Sequence, residues 1–223
     1  MDSPSSPEPA RLRSGRHGLS KEDVARSQRE RIIDAMIEAV AARGYPSTRV
    51  SDVIAVAGVS RATFYQQFRD KEDCFLVAHD AIMETVVACV APAFAEPAPW
   101  TLQVRGALEA LLVLVAEEPA IARVGVVEVL GGGHATRERY AESVQILSGF
   151  LALGGAEADL PEELRDVIPL VALGGITSAI GEAVVRGQGD RLGTLLPDLL
   201  YMAYAPYLGH AQALDESRLV SRS

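Results

Sequence analysis

The chain has 223 residues, of which 48% are hydrophobic, so it is long and apolar enough to bury a sizeable core, and a wholly disordered protein is excluded. Its 21 Lys+Arg against 30 Asp+Glu give a net charge of −9, which at first sight argues against a nucleic-acid partner. The longest uncharged run, residues 199–214, is shorter than the roughly 18 residues that a membrane span needs, and no signal peptide opens the chain. A cytoplasmic protein without a membrane partner is therefore expected.

The spacing of the apolar residues indicates an all-α chain. Aromatic residues make up only 5%, and apolar residues recur three and four positions apart, which is the period of an α-helix. Clusters of Gly and Pro divide this pattern into about nine helices. The stretch before Ser27 is rich in Ser, Pro, Gly and Arg and lacks the period, so a flexible arm is predicted there.

The first part of the chain predicts a long helix, two short ones and a second long one. The first helix follows Ser27, and Gly58 ends the second. Ser60 caps the third, in which Phe64 and Phe68 lie four residues apart and face inward. Five more helices are predicted beyond the fourth, at residues 101–118, 119–130, 135–153, 162–187 and 191–208. The last two are apolar almost all round, which predicts burial beyond what a single chain offers.

Two short helices joined by a tight turn with a Gly are the layout of a helix-turn-helix DNA reader. Its second helix would enter the major groove, where Arg61 can pair with guanine and Ala62 can meet a thymine methyl. Tyr65 and Gln66, one turn later, can reach a phosphate or a base edge. Polar groups suited to phosphate oxygens lie around them: Ser60, Thr63, Gln67 and Lys71, with Thr48, Arg49 and Ser51 at the start of the preceding helix.

Helix-turn-helix shapes also occur in proteins that bind no DNA, but the polar tip at residues 60–63 has no packing reason to be there. The charge of this part of the chain agrees with DNA binding, because residues 11–71 hold 12 basic and 7 acidic side chains and residues 79–223 carry a net −10. Two interpretations of the Arg-containing arm remain open, solvated disorder and contact with a DNA groove or backbone.

The segment AGVSRATFYQQFRDKEDCF resembles the recognition segment of the TetR family of bacterial transcriptional regulators, and the likeness extends from about Ser27 to about Ala78. By the family's pattern, Ser60 follows the turn, Tyr65 is the recognition-helix tyrosine and Lys71 opens the fourth helix. Gln66 and Gln67 depart from many relatives, so the preferred base sequence does not transfer.

This resemblance implies a homodimer with an N-terminal three-helix DNA-binding domain and a larger helical domain that binds a small effector and dimerises through its last two long helices. The implied boundaries are a flexible arm at residues 1–26, the DNA-binding domain at 27–72, the effector-binding and dimerisation domain at 73–210, and a flexible tail at 211–223. The sparse charges of residues 101–153 suggest a largely apolar pocket and a hydrophobic or amphipathic effector.

Two sets of candidate residues follow in the larger domain. Trp100, His134 and Tyr140 are candidates for the effector pocket, although each is equally suited to packing or to an interface. Small residues on the penultimate predicted helix would let another helix approach closely, and they are candidates for the dimer interface: Gly174, Gly175, Ser178 and Gly181.

Enzymatic function is disfavoured. His17, His79, His134 and His210 are dispersed, and none has a metal-ligand spacing with another His or Cys. No nucleophile elbow, phosphate loop or dinucleotide fingerprint is present, so no metal, cofactor or catalytic residue is predicted. We expect a ligand-responsive repressor that binds a pseudo-palindromic operator as a homodimer. The alternatives are an activator or ligand-independent regulator of the same fold, and an all-α ligand carrier or enzyme.

Overall fold

The computed structural model describes residues 20–95, 97–156, 158 and 160–219, and within these residues it contains helices and no strands. The all-α prediction is thus confirmed. Ten α-helices follow one another: α1 (Lys21–Arg43), α2 (Val50–Ala57), α3 (Arg61–Gln67), α4 (Lys71–Val90), α5 (Trp100–Glu117), α6 (Pro119–Ala122), α7 (His134–Ala152), α8 (Val167–Val185), α9 (Leu196–Leu208) and α10 (His210–Arg218).

The first helix begins six residues earlier than the apolar pattern predicts. Ser20 is its N-cap, accepting a hydrogen bond from the backbone N–H of Asp23, while the Asp23 carboxylate accepts from the Ser20 N–H. This capping box sets the start at Lys21 even though the first turn has no apolar stripe. Residues 1–19 of the predicted arm lie outside the described residues, and residues 21–26 belong to α1.

The structure also differs from the sequence prediction in two later segments. In place of one helix over residues 119–130, α6 is a single turn, followed by a π-helical segment (Arg123–Val127) and a 3-10 segment (Glu128–Gly131). The tail predicted from residue 211 is instead helix α10 as far as Arg218. Its Ala213 and Ser217 are buried, so packing against the rest of the domain stabilises this helix. The segment is too polar for the spacing of its apolar residues to predict a helix.

Two hydrophobic clusters organise the fold. One joins α1, α2, α3 and most of α4, and its Phe64, Phe68 and Phe75 are almost completely buried. The other joins α5, α8 and α9 around Trp100 and Tyr204, whose rings pack edge to face with centroids 5.6 Å apart. Leu111 and Leu147 touch both clusters, so the smaller helical domain is packed continuously against the larger one.

Two segments are long and apolar enough to cross a membrane by length and composition alone: Lys71–Phe94 and Glu162–Val185, each with a mean hydropathy of 1.7. In this fold both contribute buried residues to the hydrophobic clusters, as the core helices of many soluble proteins do. Only 39% of the most apolar window of the second segment is buried within the chain, so α8 leaves an apolar face uncovered.

Candidate nucleic-acid interface and ligand cavities

The turn between α2 and α3 is built on Gly58. Its φ of +62° and ψ of 37° are left-handed, which strongly favours glycine, and no atom lies within 4 Å of a Cβ built there, so conformation rather than crowding selects this residue. Ser60 then caps α3 by accepting a hydrogen bond from the Thr63 N–H at 3.0 Å. The tight turn fixes the angle at which α3 leaves α2.

The third helix has one buried face and one exposed face. Phe64 is fully buried, and its ring centroid lies 5.7 Å from that of Phe68. The candidate base-reading side chains are on the other face and exposed: Arg61, Ala62, Tyr65 and Gln66. The Arg61 guanidinium lies 5.8 Å from the centre of the Tyr65 ring, so the structure brings together the two large side chains of the predicted reader.

The candidate phosphate contacts fall into exposed and inward-facing groups. Arg49, Ser51 and Ser60 are exposed, and Thr63 is half-buried with its hydroxyl 2.9 Å from that of Ser60. Gln67 is also half-buried, and its amide Nε2 donates to the Ala25 carbonyl at 3.4 Å. That bond ties the end of α3 to α1.

The Thr48 side chain is buried and hydrogen-bonded within the chain, which the sequence analysis did not predict. Its side chain is 1% exposed, and the hydroxyl donates to the carbonyl oxygens of Gly44 at 2.8 Å and Ala39 at 3.3 Å. A hydroxyl held in this way satisfies the C-terminal carbonyls of α1 and is not presented to a phosphate. The structure therefore does not support Thr48 as a side-chain contact to DNA.

Lys71 connects the DNA-binding helices to α4. Its Nζ donates to the carbonyl oxygens of Tyr45 at 2.9 Å and Thr48 at 3.1 Å, and lies 4.0 Å from the centre of the Tyr45 ring. Partial burial lowers the pKa of Lys71 from its ordinary value. An ammonium group has three donors, so one N–H remains for a phosphate oxygen beside this structural role.

Arg29 is a positioning residue that the sequence analysis missed. From α1 its Nη1 donates to the Gln67 carbonyl at 2.9 Å, and its guanidinium lies over the Phe68 ring at 4.4 Å. It thereby caps the C-terminus of α3 with positive charge, which the helix dipole favours. No local signal reveals it, because its partner is 38 residues away in the sequence.

The larger domain encloses two adjoining apolar cavities of about 60 and 70 Å³ between α4, α5, α7 and α8. The walls of both contain Val86, Leu111, Leu147, Leu173 and Thr177. The first cavity also touches the π-helical segment through Gly125 and Val126. The two cavities adjoin through the side chains that line both, and we call the pair the core channel.

The three candidates for the effector pocket are separated in the structure. Tyr140 lines the core channel. Trp100 is 4% exposed and lines a different cavity near α10. His134 is on the surface at the start of α7, where its Nε2 lies 3.2 Å from a Glu138 carboxylate oxygen. Tyr140 and Trp100 thus line two different cavities, and His134 lines neither of them.

The four candidates for the dimer interface also lie in different surroundings. Gly174 and Ser178 are on the exposed face of α8, together with Val167, Val171 and Val185. A Cβ on Gly181 would instead meet Val126 of the same chain at 3.3 Å, and one on Gly175 would meet Met202 at 3.1 Å. Gly181 is thus explained by packing within the chain, since it admits the π-helical segment against α8.

Three polar contacts join the larger domain to the DNA-binding helices or to α4. The Glu128 carboxylate accepts from the Tyr45 backbone N–H at 2.9 Å. Thr136 donates from its hydroxyl to Glu72 at 3.2 Å, and Arg139 pairs with Asp80 at 2.5 Å. Glu128 comes shortly after Gly125 and Val126 of the core-channel wall, so this contact links that part of the chain to the turn after α1.

His79 is a buried residue of α4 that lies near the backbone of Gly125 in the π-helical segment. It is 0% exposed, and neither ring nitrogen has a partner that meets hydrogen-bond geometry. Burial lowers the pKa of His79 from its ordinary value; Arg139 adds to this effect, and Asp80 and the Gly125 backbone oppose it more weakly. Among the residues described here, no group of three or more His, Cys, Asp or Glu is arranged to hold a metal ion.

Comparison with known proteins agrees with this arrangement. Residues 32–78 match the family model for bacterial regulatory proteins of the tetR family. No curated protein matches the chain in sequence. Solved structures do match its fold, and those described below are each less than 25% identical in sequence to this chain.

Three of these structures cover most of the chain. The fatty acid degradation regulator FadR from Bacillus halodurans has 20% identity and a TM-score of 0.69, covering 79% of this chain and 95% of its own. FadR from Bacillus subtilis in complex with stearoyl-CoA has 23% identity and a TM-score of 0.68, covering 81% and 98%. A TetR-like transcriptional regulator from Rhodococcus sp. RHA1 has 17% identity and a TM-score of 0.62, covering 85% and 98%.

Proposed function

We propose that this chain, whose residues 32–78 match the model of the tetR family of bacterial regulatory proteins, is a ligand-responsive repressor that binds a pseudo-palindromic operator as a homodimer. The observation that carries the proposal is the outer face of α3, where Arg61, Ala62, Tyr65 and Gln66 are exposed while Phe64 fixes the helix from behind. Side chains presented in this way suit the major groove.

The uncovered face of α8 supports the homodimer. Val171 is 65% exposed, and Val167 and Val185 are about half exposed on the same side. Gly174, with no atom within 4 Å of a Cβ built there, leaves room for the backbone of another helix. Two-fold pairing along this face would bury the valines and place two α3 helices on one duplex, with the separation set by the dimer.

We infer that the effector carries a long unbranched hydrocarbon chain. The core channel consists of two small adjoining cavities, and its walls are almost entirely apolar. The stearoyl-CoA in the Bacillus subtilis FadR structure is a ligand of this type. An acyl chain would fill both cavities end to end, whereas a compact or charged ligand would leave one empty or desolvate its charge without compensation.

The effect of ligand binding can reach the DNA-binding helices through a short series of contacts. Because the cavities are only about 60 and 70 Å³, an acyl chain would widen the channel and displace the π-helical segment at Gly125 and Val126. The following residue pair, Val127 and Glu128, continues to the bond that Glu128 makes with Tyr45. The ligand would thus favour dimers in which the two α3 helices no longer fit the operator.

A mobility-shift titration tests the regulatory function. The full-length protein is titrated against the DNA upstream of its own gene and against random DNA of equal length, at several salt concentrations and with or without stearoyl-CoA. We expect tighter binding to the upstream DNA, loss of affinity with salt on both fragments, and release by the acyl-CoA. Equal affinity for both fragments at every salt concentration would remove the main support for a specific regulator.

The alternatives from sequence would give other results in this titration. An activator or a ligand-independent regulator would bind the upstream DNA and remain bound when stearoyl-CoA is added. A carrier or enzyme on the same fold would bind the acyl-CoA but show no salt-sensitive affinity for a duplex. No catalytic residue is proposed.

A further inference from the structure

A large open groove lies between α1 and the larger domain. It is lined by residues of α1, α4, α6 and the end of α8, and it measures about 1260 Å³. Pockets for small molecules measure roughly 300–1,000 Å³, so this space is better matched to a segment of polypeptide than to one small ligand. We call it the α1 groove.

The α1 groove has an apolar lining that remains accessible to solvent. Ile37 and Ala41 of α1 contribute to it, together with Ile121 of α6 and Val184 of α8. Each of these four residues is half-buried, so part of its apolar surface is still in contact with water. Covering that surface with another segment would be favourable.

The α1 groove also carries uncompensated negative charge. Four exposed carboxylates line it on both sides: Asp34 and Glu38 on α1, Glu118 at the end of α5, and Asp190 after α8. Among the residues that the structure describes, none of these four makes an ion pair. Arg123 is in the lining too, and its Nε lies 3.7 Å from a carboxylate oxygen of Glu128. This balance of charge favours a basic occupant.

The chain itself supplies a basic segment directly before α1. Residues 10–19 have the sequence ARLRSGRHGL, with three arginines and no acidic residue. Leu12 lies between Arg11 and Arg13, and in an extended segment successive side chains point to opposite sides. Leu12 could therefore contact the apolar lining while Arg11 and Arg13 point towards the carboxylates. The segment thus matches the groove in both charge and apolar pattern.

The length of this segment allows it to reach the α1 groove of its own chain. Arg13 is seven residues before Ser20, and at about 3.3 Å per extended residue it can reach about 23 Å from that point. Asp34 is fourteen residues after Ser20, or about 21 Å along α1 at 1.5 Å per residue. The same estimate gives about 30 Å for Arg11 and about 27 Å for Glu38. A chain that reverses at Ser20 would bring each arginine to a carboxylate.

We propose that residues 10–19 dock in the α1 groove of their own chain, with Arg13 paired with Asp34, Arg11 paired with Glu38, and Leu12 against the apolar lining. This occupant differs from the two interpretations that the sequence leaves open, solvated disorder and contact with DNA. Arginines held in the groove are withheld from DNA phosphates. The docking does not depend on the proposed repressor function, and its test contains no DNA.

Disulfide trapping in the full-length protein tests the docking. Ala10→Cys is combined with Ala42→Cys, because Ala42 is an exposed residue of the α1 groove one turn beyond Glu38. A bridge requires the two Cα atoms to come within about 7 Å. We expect mild oxidation at low salt to form this bridge within one chain, and high salt to slow it severalfold. Peptide mapping by mass spectrometry distinguishes it from any bond to the half-buried Cys89.

Two further carboxylate changes show whether charge holds the segment. Asp34→Asn with Glu38→Gln, added to the cysteine pair, should slow bridge formation at least fivefold. Glu84→Gln with Glu163→Gln removes two exposed carboxylates outside the groove lining and should leave the rate unchanged. Circular dichroism checks that each variant is folded.

A second cysteine pair measures random encounter. Ala10→Cys is combined with Ala141→Cys, an exposed residue of α7 outside the groove lining, and should form a bridge much more slowly. Equal rates for the two pairs would overturn the proposal. So would the absence of a bridge to Ala42→Cys in the folded protein, a covalent dimer in place of a bridge within one chain, or an unchanged rate when Asp34 and Glu38 are neutralised.

Discussion

The Glu128 carboxylate accepts a hydrogen bond at 2.9 Å from the backbone N–H of Tyr45, a residue 83 positions earlier in the chain. Tyr45 is 8% exposed, so this N–H has little access to water if the bond is lost. On its other side the Tyr45 carbonyl accepts from Lys71. The turn after α1 is thus held both by the larger domain and by α4, and its position depends on both.

Glu128→Ala should lower the free energy of unfolding by about 1–3 kcal/mol, since it leaves the buried N–H unsatisfied. It should also reduce the change in DNA affinity that stearoyl-CoA produces. Glu128→Gln is the matched control, because its amide oxygen can still accept the bond. Urea unfolding and DNA titrations with and without the acyl-CoA measure both effects. An acyl-CoA response in the Ala variant equal to that of the wild type would contradict this route.

Arg61→Ala should weaken binding to the upstream DNA by about 1–3 kcal/mol and relax the preference at one base pair, because a bidentate contact to guanine is lost. Binding to random DNA should change less. Arg186→Ala, which removes an exposed arginine of the larger domain paired with Glu182, is the control and should change neither. Fluorescence anisotropy on both fragments is the measurement. Equal losses on the two fragments would refute base reading by Arg61.

Thr177→Phe should abolish the response to stearoyl-CoA and preserve DNA binding. Thr177 lines both cavities of the core channel, and its hydroxyl bonds only to carbonyls of its own helix, at Leu173 and Gly174. The larger side chain would occupy the space of the acyl chain without leaving a buried polar partner unpaired. Calorimetry with stearoyl-CoA checks this. Wild-type affinity in the folded variant would place the ligand elsewhere.

Val171→Glu should convert the proposed dimer to a monomer, since it places a charge on the uncovered face of α8 at a position that is exposed within the chain. The monomer should remain folded. Val113→Glu on α5, where the valine is 57% exposed, is the control and should stay dimeric. Sedimentation velocity measures the mass. A dimer in the Val171→Glu variant would exclude this face from the interface.

The protein should lose stability as the pH falls through about 6.5, the ordinary pKa of histidine, because of His79. Burial lowers the native pKa of His79, so below this pH the unfolded chain binds a proton that the native state does not, and the proton favours unfolding. His79→Leu should remove this part of the pH dependence, and the exposed His134→Gln should not. Urea unfolding at pH 7.5 and 5.5 tells whether His79 is responsible.

The extent to which the sequence predicts this structure depends on how local each signal is. Gly58, Ser60 and the Phe64–Phe68 pair act within a few residues, and the helix-turn-helix follows from them. Capping at Ser20 is equally local, yet an apolar pattern alone overlooks it. The burial of Thr48 and the bonds of Arg29 and Glu128 arise between distant segments. The spacing of apolar residues along the sequence does not indicate contacts between distant segments.

The larger domain was less predictable for a related reason. Trp100, His134 and Tyr140 are residue types suited to a pocket, but which side of a helix faces a cavity depends on how five or more helices pack together. The π-helical segment over Arg123–Val127 shifts the register of the chain by part of a turn. The sequence similarly suggested that Gly181 contacts the other subunit of a dimer, whereas its neighbours in the structure are Val126 and Val127 of the same chain.

The division of α3 into a buried and an exposed face has a consequence for how this regulator can diversify. Phe64 and Phe68 hold the helix in place, while Arg61, Ala62, Tyr65 and Gln66 project from it without contributing to the core. Substitutions at these four exposed positions should therefore be nearly neutral for folding, as surface changes generally are. In the proposed repressor, exchanging only those side chains would retarget the protein to another promoter and leave the proposed dimer face and the ligand cavities as they are.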